Sequence, residues 1–275
     1  MISEDQISEL IETVRRVAKV EIIPHFRNLD AMQIDRKSAP DDLVTIADRA
    51  AELAISKMVH DILPDAAIVG EEAVSADKTV LGRVKEPGQV VVIDPIDGTW
   101  NYANGIATYG VILAVIEDGE TVFGLLYDPS FDDWIMAVKG AGAFFCRPDG
   151  TRTALTLPAA PDKLEDCFGY VGLYLFKKER QAQLAASLPS FRRTTTLRCS
   201  CHEYRMLAQG SAQFCLNGML NVWDHAAGVL IYQEAGGIAR LLDGRSYDPA
   251  MRKGHLLTAG SERLWEELAE KFGDT

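Results

Sequence analysis

The sequence lacks several features that would place it in a specialised class. No apolar run approaches the roughly 18–20 residues that a membrane-spanning helix needs. Residues 1–6 are acidic where a secretory signal would be basic, so we expect a cytoplasmic location. Basic residues are scarce, because 28 Lys and Arg face 40 Asp and Glu, a net charge of −12. We therefore expect no binding to nucleic acid or to an anionic membrane, since both depend on cations that neutralise phosphate.

Cysteine is also sparse, and the glycine-rich loops of nucleotide-binding proteins are missing. The five cysteines follow no framework spacing, which favours reduced thiols in a cell interior. Cys199 and Cys201 are one residue apart without a second ligand pair, so they do not predict a zinc site. The segment Gly140-Ala141-Gly142 lacks the third glycine of a dinucleotide-binding loop, and no Walker-type loop occurs.

The composition and the helical periodicity predict a globular protein. With 275 residues and 47% hydrophobic residues, the chain can bury one large core or two smaller ones. Capping-box patterns begin one helix at about Glu4 and a second after Thr45, with Asp48 as its third residue. Pro24 and Pro64 mark where the two helices end.

From residue 90 the sequence pattern is typical of strands, and later in the chain it predicts both helices and strands. The predicted strands are Val90–Ile93, Tyr109–Ile116, Thr121–Tyr127 and Asp133–Val138. Asp118-Gly119 predicts a hairpin, so the first sheet should be largely antiparallel. Turn formers near residues 150–162 predict a boundary between an N-terminal α+β half, 1–150, and a C-terminal α/β half, 151–275. In the second half, helices are expected near Glu203–Gly210 and from Asp224 onward.

Two carboxylates emerge directly after the first buried strand. Asp94 and Asp97 follow the run Val90–Ile93, and they can face one point only if the backbone turns sharply, which Pro95 and Gly98 favour. The turn also offers a carbonyl and a hydroxyl. An all-oxygen set of this kind suits Mg²⁺, which proteins hold through a few carboxylates together with phosphate and water.

Two further acidic sites have matching contexts. Glu71 and Glu72 follow the apolar run Ala66–Val69, and Asp224 opens an apolar helical pattern. A lone Asp-Pro-x-Asp-Gly segment could be a surface turn, because each residue is a favoured turn former. Three acidic sites in comparable positions are hard to obtain by chance and indicate a metal centre.

With neighbouring segments, these sites resemble the inositol monophosphatase family of lithium-sensitive, magnesium-dependent sugar phosphatases. The matching segments are Lys37-Ser38, Asp42-Leu43-Val44-Thr45 with Asp48, Gly70-Glu71-Glu72, Asp94-Pro95-Ile96-Asp97-Gly98-Thr99 with Asn101, Trp223-Asp224 and Glu234-Ala235-Gly236-Gly237. They cover nearly the whole chain in the expected order. The resemblance implies an α+β fold, a layered α/β/α/β/α sandwich of the inositol monophosphatase/fructose-1,6-bisphosphatase type. It also implies a homodimer with the active site between the halves.

The resemblance further implies a centre of two or three Mg²⁺ ions that hydrolyses a phosphomonoester with a metal-activated water. The implied ligands are Glu71, Asp94, the Ile96 carbonyl, Asp97 and Asp224. Glu71 is also expected to take part in catalysis. Two metals about 3.5–4 Å apart can stabilise the entering and leaving oxygens of such a reaction.

Four further side chains have expected roles near the metals. Thr99 and Asp48 resemble the family's pair that orients the attacking water, although Asp48 could instead only cap its helix toward Thr45. Lys37 lies in a polar loop and could close over phosphate, whereas a lone lysine is usually just solvated. Glu72 is expected to lie behind the metal ligands or in solvent.

The substrate-facing part departs from inositol-specific relatives. Asn217 stands where these relatives carry a glutamate, and the segment Arg198–Tyr204 replaces a small Gly/Ala-rich loop. The expected substrate contacts are Asp97, Gly98, Thr99, Arg198, Asn217 and Asp224. The substrate is expected to be a small polyol phosphate, with inositol 1-phosphate as the default. Histidinol phosphate, fructose bisphosphate and adenosine 3′,5′-bisphosphate are alternatives on the same centre, and a regulatory binding protein is an alternative of another class.

Overall fold

The computed structural model describes residues 2–273, which begin with two long helices. Helix α1, Glu4–Val17, starts at a capping box between Ser3 and Gln6. It continues as a π-helical stretch, Ala18–Ile22, and then as a 3-10 turn, Ile23–His25. Helix α2, Ile46–Ile62, starts at the capping box of Thr45. Both helices were predicted. Helix α2 ends just before the expected Pro64, because proline has no backbone N–H to donate. Helix α1 ends earlier than expected, at Val17, and Pro24 lies inside the last helical turn that follows it, Ile23–His25.

Seven strands in chain order form the large sheet, beside a small hairpin. The hairpin is β1, Ile34–Arg36, with β2, Leu43–Thr45; the sheet is β3, Ala67–Gly70, β4, Gln89–Asp97, β5, Gly110–Glu117, β6, Glu120–Asp128, β7, Asp133–Val138, β8, Gly142–Cys146, and β9, Arg152–Leu155. Only β3 and β4 are parallel, so the expectation of a largely antiparallel sheet is confirmed. Asp118 and Gly119 form the predicted hairpin turn with positive φ.

The second half forms a five-stranded mixed sheet with four longer helices. These elements are β10, Phe168–Val171, α5, Lys178–Ser187, β11, Arg193–Thr195, α6, Ser200–Ala208, β12, Phe214–Asn217, α7, Val222–Glu234, β13, Ile238–Leu241, β14, Leu256–Ala259, and α8, Glu262–Phe272. Helix α6 begins three residues before the predicted Glu203, and α7 two residues before Asp224. Strand β14 was not among the predicted elements. All four of its residues are buried, so it lacks the alternation of apolar and polar residues that marks a half-exposed strand.

The helices and the two sheets stack in five layers. Helices α1 and α2 pack on one face of the large sheet, α6 and α7 fill the space between the sheets, and α5 and α8 cover the outer face of the small sheet. The expected α/β/α/β/α sandwich is therefore confirmed. The division at residue 150 into two halves stays a prediction. Within residues 2–273, no helix is both long and apolar enough to cross a membrane.

Candidate active site

A bulge at the end of β4 brings Asp94 and Asp97 to one side of the strand. Asp94 pairs with Ile112 and Asp97 with Gly110 on β5, so β4 carries one extra residue in this interval. In a regular strand, side chains three residues apart point to opposite faces. The extra residue of the bulge brings the side chains of Asp94 and Asp97 to the same face of the strand. The strand thus runs through Asp97, and the expected end of the strand at Ile93 was wrong.

Asp94, Asp97 and Asp224 form a compact carboxylate cluster. One oxygen from each lies within 4.8 Å of the others. Burial and mutual repulsion raise the pKa of Asp94 and of Asp224 well above the usual range, and burial raises the pKa of Asp97 to about 6. Asp94 Oδ1 is buried without a hydrogen-bond partner in the described chain. A cation would satisfy this oxygen and offset the repulsion, so the cluster fits a hard divalent metal.

The second oxygen of Asp97 is fixed by the start of α6. Asp97 Oδ2 accepts hydrogen bonds from the Cys201 amide and from the Cys199 thiol, whose sulfur is 3.1 Å away. Asp224, in the first turn of α7, is held by the Asn221 amide at 3.0 Å. Two helices from the second half therefore orient carboxylates that belong to the same cluster as Asp94.

Glu71 lies beside this cluster and is not part of it. Its Oε1 lies 2.9 Å from Lys37 Nζ, and Glu72 Oε1 lies 2.6 Å from the same nitrogen. The two carboxylates raise the pKa of Lys37 despite burial, which opposes its charge. Lys37 is therefore not simply solvated. Of the two places expected for Glu72, behind the metal ligands or in solvent, solvent is excluded, since its side chain is only 10% exposed.

Glu52 is a residue near this site that the sequence analysis missed. Its oxygens accept from the Glu72 amide at 2.7 Å and the Ala73 amide at 2.8 Å, which fixes helix α3, Glu71–Ala76. Burial raises its pKa to about 7. The available signal was an acidic residue on the apolar face of α2, next to Ala51.

Asp48 bonds to its own helix cap and to the metal loop. Its Oδ2 accepts from the Thr45 amide at 2.8 Å and the Thr45 hydroxyl at 2.6 Å, while Oδ1 lies 3.0 Å from the Thr99 hydroxyl. Thr99 is also 2.9 Å from the Ile96 carbonyl oxygen. Burial raises the pKa of Asp48 to about 7. The capping and site contacts, which the sequence left as alternatives, therefore occur together.

Gly98 makes the sharp turn between β4 and the short helix α4, Thr99–Ala103. Its φ of +84° is in the left-handed region, and a Cβ atom there would lie 2.9 Å from the Thr108 carbonyl oxygen. Only glycine suits this position without strain. The backbone amides of Gly98 and Thr99 thus open a helical turn.

A cavity of about 140 Å³ extends from the carboxylate cluster toward the second half. Its lining includes Asp97, Tyr174, Arg198, Glu203, Asn217 and Asp224. Arg198 and Asn217, which the sequence singled out as expected substrate contacts, therefore both line this cavity. The volume is below the roughly 300–1,000 Å³ of drug-sized sites, so the cavity suits a small ligand.

Arg198 is held at the rim of this cavity. Its guanidinium lies 4.4 Å from the centre of the Trp100 ring and 3.0 Å from Asp41 Oδ2. Its φ of +53° is unusual for a residue other than glycine. Asn217, further inside, donates to the Cys215 sulfur at 3.2 Å.

Known proteins are similar to this chain in sequence. The sequence matches the inositol monophosphatase family over residues 3–274. A fructose-1,6-bisphosphatase/inositol-1-monophosphatase of Thermotoga maritima is 28% identical over 274 residues, 98% of this chain and 99% of that protein. A histidinol-phosphatase of Streptomyces coelicolor is 30% identical, with 94% of each chain covered.

The fold is also that of solved structures. A staphylococcal IMPase I complexed with products superimposes with a TM-score of 0.81 at 19% identity, over 100% of this chain and 97% of that one. This likeness confirms the layered α+β architecture. Because the family match spans nearly the whole sequence, the chain belongs to the inositol monophosphatase family.

Proposed function

We propose that the protein is a Mg²⁺-dependent phosphomonoesterase that hydrolyses a small polyol phosphate, with inositol 1-phosphate as the reference substrate. The observation that carries the proposal is the cluster of buried Asp94 and Asp97 with partly buried Asp224, in which one oxygen from each residue lies within 4.8 Å of the others. Membership of a phosphatase family and the small adjoining cavity support it.

The metal would be held by Asp94, Asp97, Asp224 and the Ile96 carbonyl. Glu71 would complete the set of ligands once it exchanges its pairing with Lys37 for the ion. Bound Mg²⁺ supplies positive charge that polarises a phosphate and makes a water more acidic. Two or three ions, as the family resemblance implies, would offset the negative charge gathered at this site. Lithium sensitivity, a homodimer and a cytoplasmic location stay predictions.

Thr99 and Asp48 would orient the attacking water. Asp48 Oδ1 accepts the Thr99 hydroxyl proton at 3.0 Å, which leaves lone pairs of the Thr99 oxygen to accept a proton from water. Asp48 cannot turn away, because its other oxygen is held by two bonds from Thr45. The Gly98 and Thr99 amides would contact the phosphate, and Arg198 and Asn217 the polyol.

A panel of phosphomonoesters tests this proposal. Phosphate release would be measured from inositol 1-phosphate, glycerol 2-phosphate, histidinol phosphate, fructose 1,6-bisphosphate and adenosine 3′,5′-bisphosphate, with Mg²⁺ and with a chelator. We expect Mg²⁺-dependent release from at least one substrate, and none from the Asp97→Asn variant. Activity that survives chelation, or that the variant retains, would contradict the assignment of the metal centre.

A further inference from the structure

Glu52 is a buried carboxylate that the proposed reaction does not use, although it lies beside the site. It follows Asp48 by one turn of α2, so the two side chains lie on the same face of the helix. Both are buried, and only 7% of the Glu52 surface is exposed. Asp48 contacts the metal loop through Thr99, whereas Glu52 contacts the segment that carries Glu71. The same turn of α2 therefore contacts two of the segments that form the site.

The helix that begins at Glu71 has no capping side chain of its own. Its N-cap residue is Gly70, and α3 is only six residues long. Glu52 takes the place of the cap, because Oε2 accepts from the Glu72 amide at 2.7 Å and Oε1 from the Ala73 amide at 2.8 Å. These are the second and third amides of the helix, the donors that an N-cap side chain normally satisfies. A carboxylate from another helix thus fixes the first turn of α3.

The carboxyl group of Glu52 also lies directly against the backbone of Gly70. A Cβ atom at residue 70 would overlap the Glu52 Cδ and both of its oxygens, so a larger residue there would push the carboxylate away from the two amides. The backbone of Glu71 is therefore fixed on both sides, by the contact at Gly70 and by the hydrogen bond at Glu72.

The side chain of Glu71 must give up its present partner when a metal binds. Its Oε1 pairs with Lys37 Nζ at 2.9 Å, and the same nitrogen lies 2.6 Å from Glu72 Oε1. Lys37 can stay on Glu72 when the ion takes Glu71, because that second pairing does not involve Glu71. The position of the freed carboxylate then depends on its backbone, which Glu52 holds.

Resting on the proposed metal-dependent function, we propose that Glu52 is a positioning residue that sets the Mg²⁺ affinity of the site by holding Glu71 in its ligating position. Groups that orient metal ligands typically contribute roughly ten- to a hundred-fold to metal affinity. Glutamine tests this role at the same side-chain length. Its carbonyl oxygen can accept from one of the two amides, but its NH₂ group would meet the other amide donor to donor.

A double-mutant cycle with Mg²⁺ binding as the readout tests the proposal. Mg²⁺ alone would be titrated calorimetrically at about pH 8 into the full-length wild type, Glu52→Gln, Glu71→Gln and the double variant. We expect Glu52→Gln to weaken Mg²⁺ binding by about ten-fold or more in the wild-type background, and by less than about two-fold once Glu71 is replaced. This result would show that Glu52 acts through Glu71, because the negative charge lost at Glu52 is the same in both backgrounds.

Glu234→Gln is the matched control. Glu234, at the end of α7, also accepts from two backbone amides, those of Gly140 at 2.7 Å and Gly142 at 2.8 Å, and it lies outside the metal cluster. We expect this variant to keep wild-type Mg²⁺ affinity, because the turn that it anchors carries no proposed metal ligand. Circular dichroism establishes that each variant folds. Should Glu52→Gln not fold, the same cycle and criteria apply to Glu52→Asp, in which the carboxylate is one methylene shorter.

The outcomes separate the role of Glu52 from the reaction. Equal weakening of Mg²⁺ binding in both backgrounds, or no weakening in a folded Glu52 variant, overturns the proposal. Weakening in Glu234→Gln as strong as in Glu52→Gln also overturns it, because the loss of any such anchor would then suffice. If Mg²⁺ binds but no phosphomonoester of the panel is hydrolysed, the phosphatase proposal fails and the cycle still decides the role of Glu52. A wild-type protein that binds no Mg²⁺ overturns both.

Discussion

Replacing Glu203 with glutamine should change how the stability of the protein depends on pH. Burial raises the pKa of Glu203 from 4.5 to about 7, against the hydrogen bonds from Leu197 and Thr196, and the charge of Asp97 adds to the rise. The folded protein therefore binds more protons at this site than the unfolded chain does. The stability gained this way is fully present below pH 4.5 and is lost as the pH rises through about 7.

The size of the effect follows from the shift. Between pH 5 and 8 the wild-type protein should lose about 2–3 kcal/mol of stability from this one group. Glutamine does not titrate and can accept the same two hydrogen bonds, so the variant avoids the loss. Relative to the wild type, Glu203→Gln should gain about 5–10 °C in melting temperature between the two pH values.

The assay is thermal unfolding of both proteins with a chelator, at pH 5 and pH 8. Other groups titrate over this range, and the difference between variant and wild type removes their contribution. A difference in stability that changes by less than about 0.5 kcal/mol between the two pH values would refute the reasoning, because Glu203 would then have the same proton affinity in both states.

Substitutions at three positions test the metal loop. Asp97→Asn should reduce phosphate release by more than about a thousand-fold while circular dichroism stays unchanged, because an amide cannot supply the negative charge that nearby cations require; near-normal turnover at saturating Mg²⁺ would be incompatible with a metal ligand. Thr99→Val should lower kcat more than it raises KM, whereas Thr99→Ser keeps the hydroxyl 3.0 Å from Asp48 and should retain most activity; equal losses in both variants would point to packing. Gly98→Ala should cost about 1–3 kcal/mol in unfolding experiments, since φ is +84° and its Cβ would meet the Thr108 carbonyl; an unchanged melting temperature would show that the loop can relax.

Many helix and turn positions could be predicted from the sequence, because they depend on interactions between residues close together in the chain. The capping boxes of Ser3 and Thr45 predicted where α1 and α2 begin, because a cap involves residues only three positions apart. Asp118-Gly119 predicted the hairpin between β5 and β6 for the same reason, since both residues adopt positive φ. The acidic residues after buried strands were also visible, and so was the family resemblance that they carry.

Features that depend on packing between distant segments were not visible. The sequence showed Asp94 and Asp224 as separate acidic sites, but only the stacking of α7 between the two sheets brings their oxygens within 4.8 Å. The bulge that turns Asp94 and Asp97 to one side depends on the register between β4 and β5. The pairing of Lys37 with Glu71 likewise joins residues 34 positions apart.

The sequence by itself determined which residues are of a type that binds metal, and where most of the helices and strands lie. The reason is that hydrogen bonds at caps and turns, and the periodicity of apolar residues, act over only a few positions. The tertiary structure alone decided which carboxylates share a cluster and that Glu203 lines the adjoining cavity. In the sequence Glu203 is an ordinary helical glutamate, yet it is buried opposite Cys215 and forms no ion pair within residues 2–273. Its environment comes from β12 and the loop before α6, and contacts over such separations follow from how the layers pack rather than from local pattern.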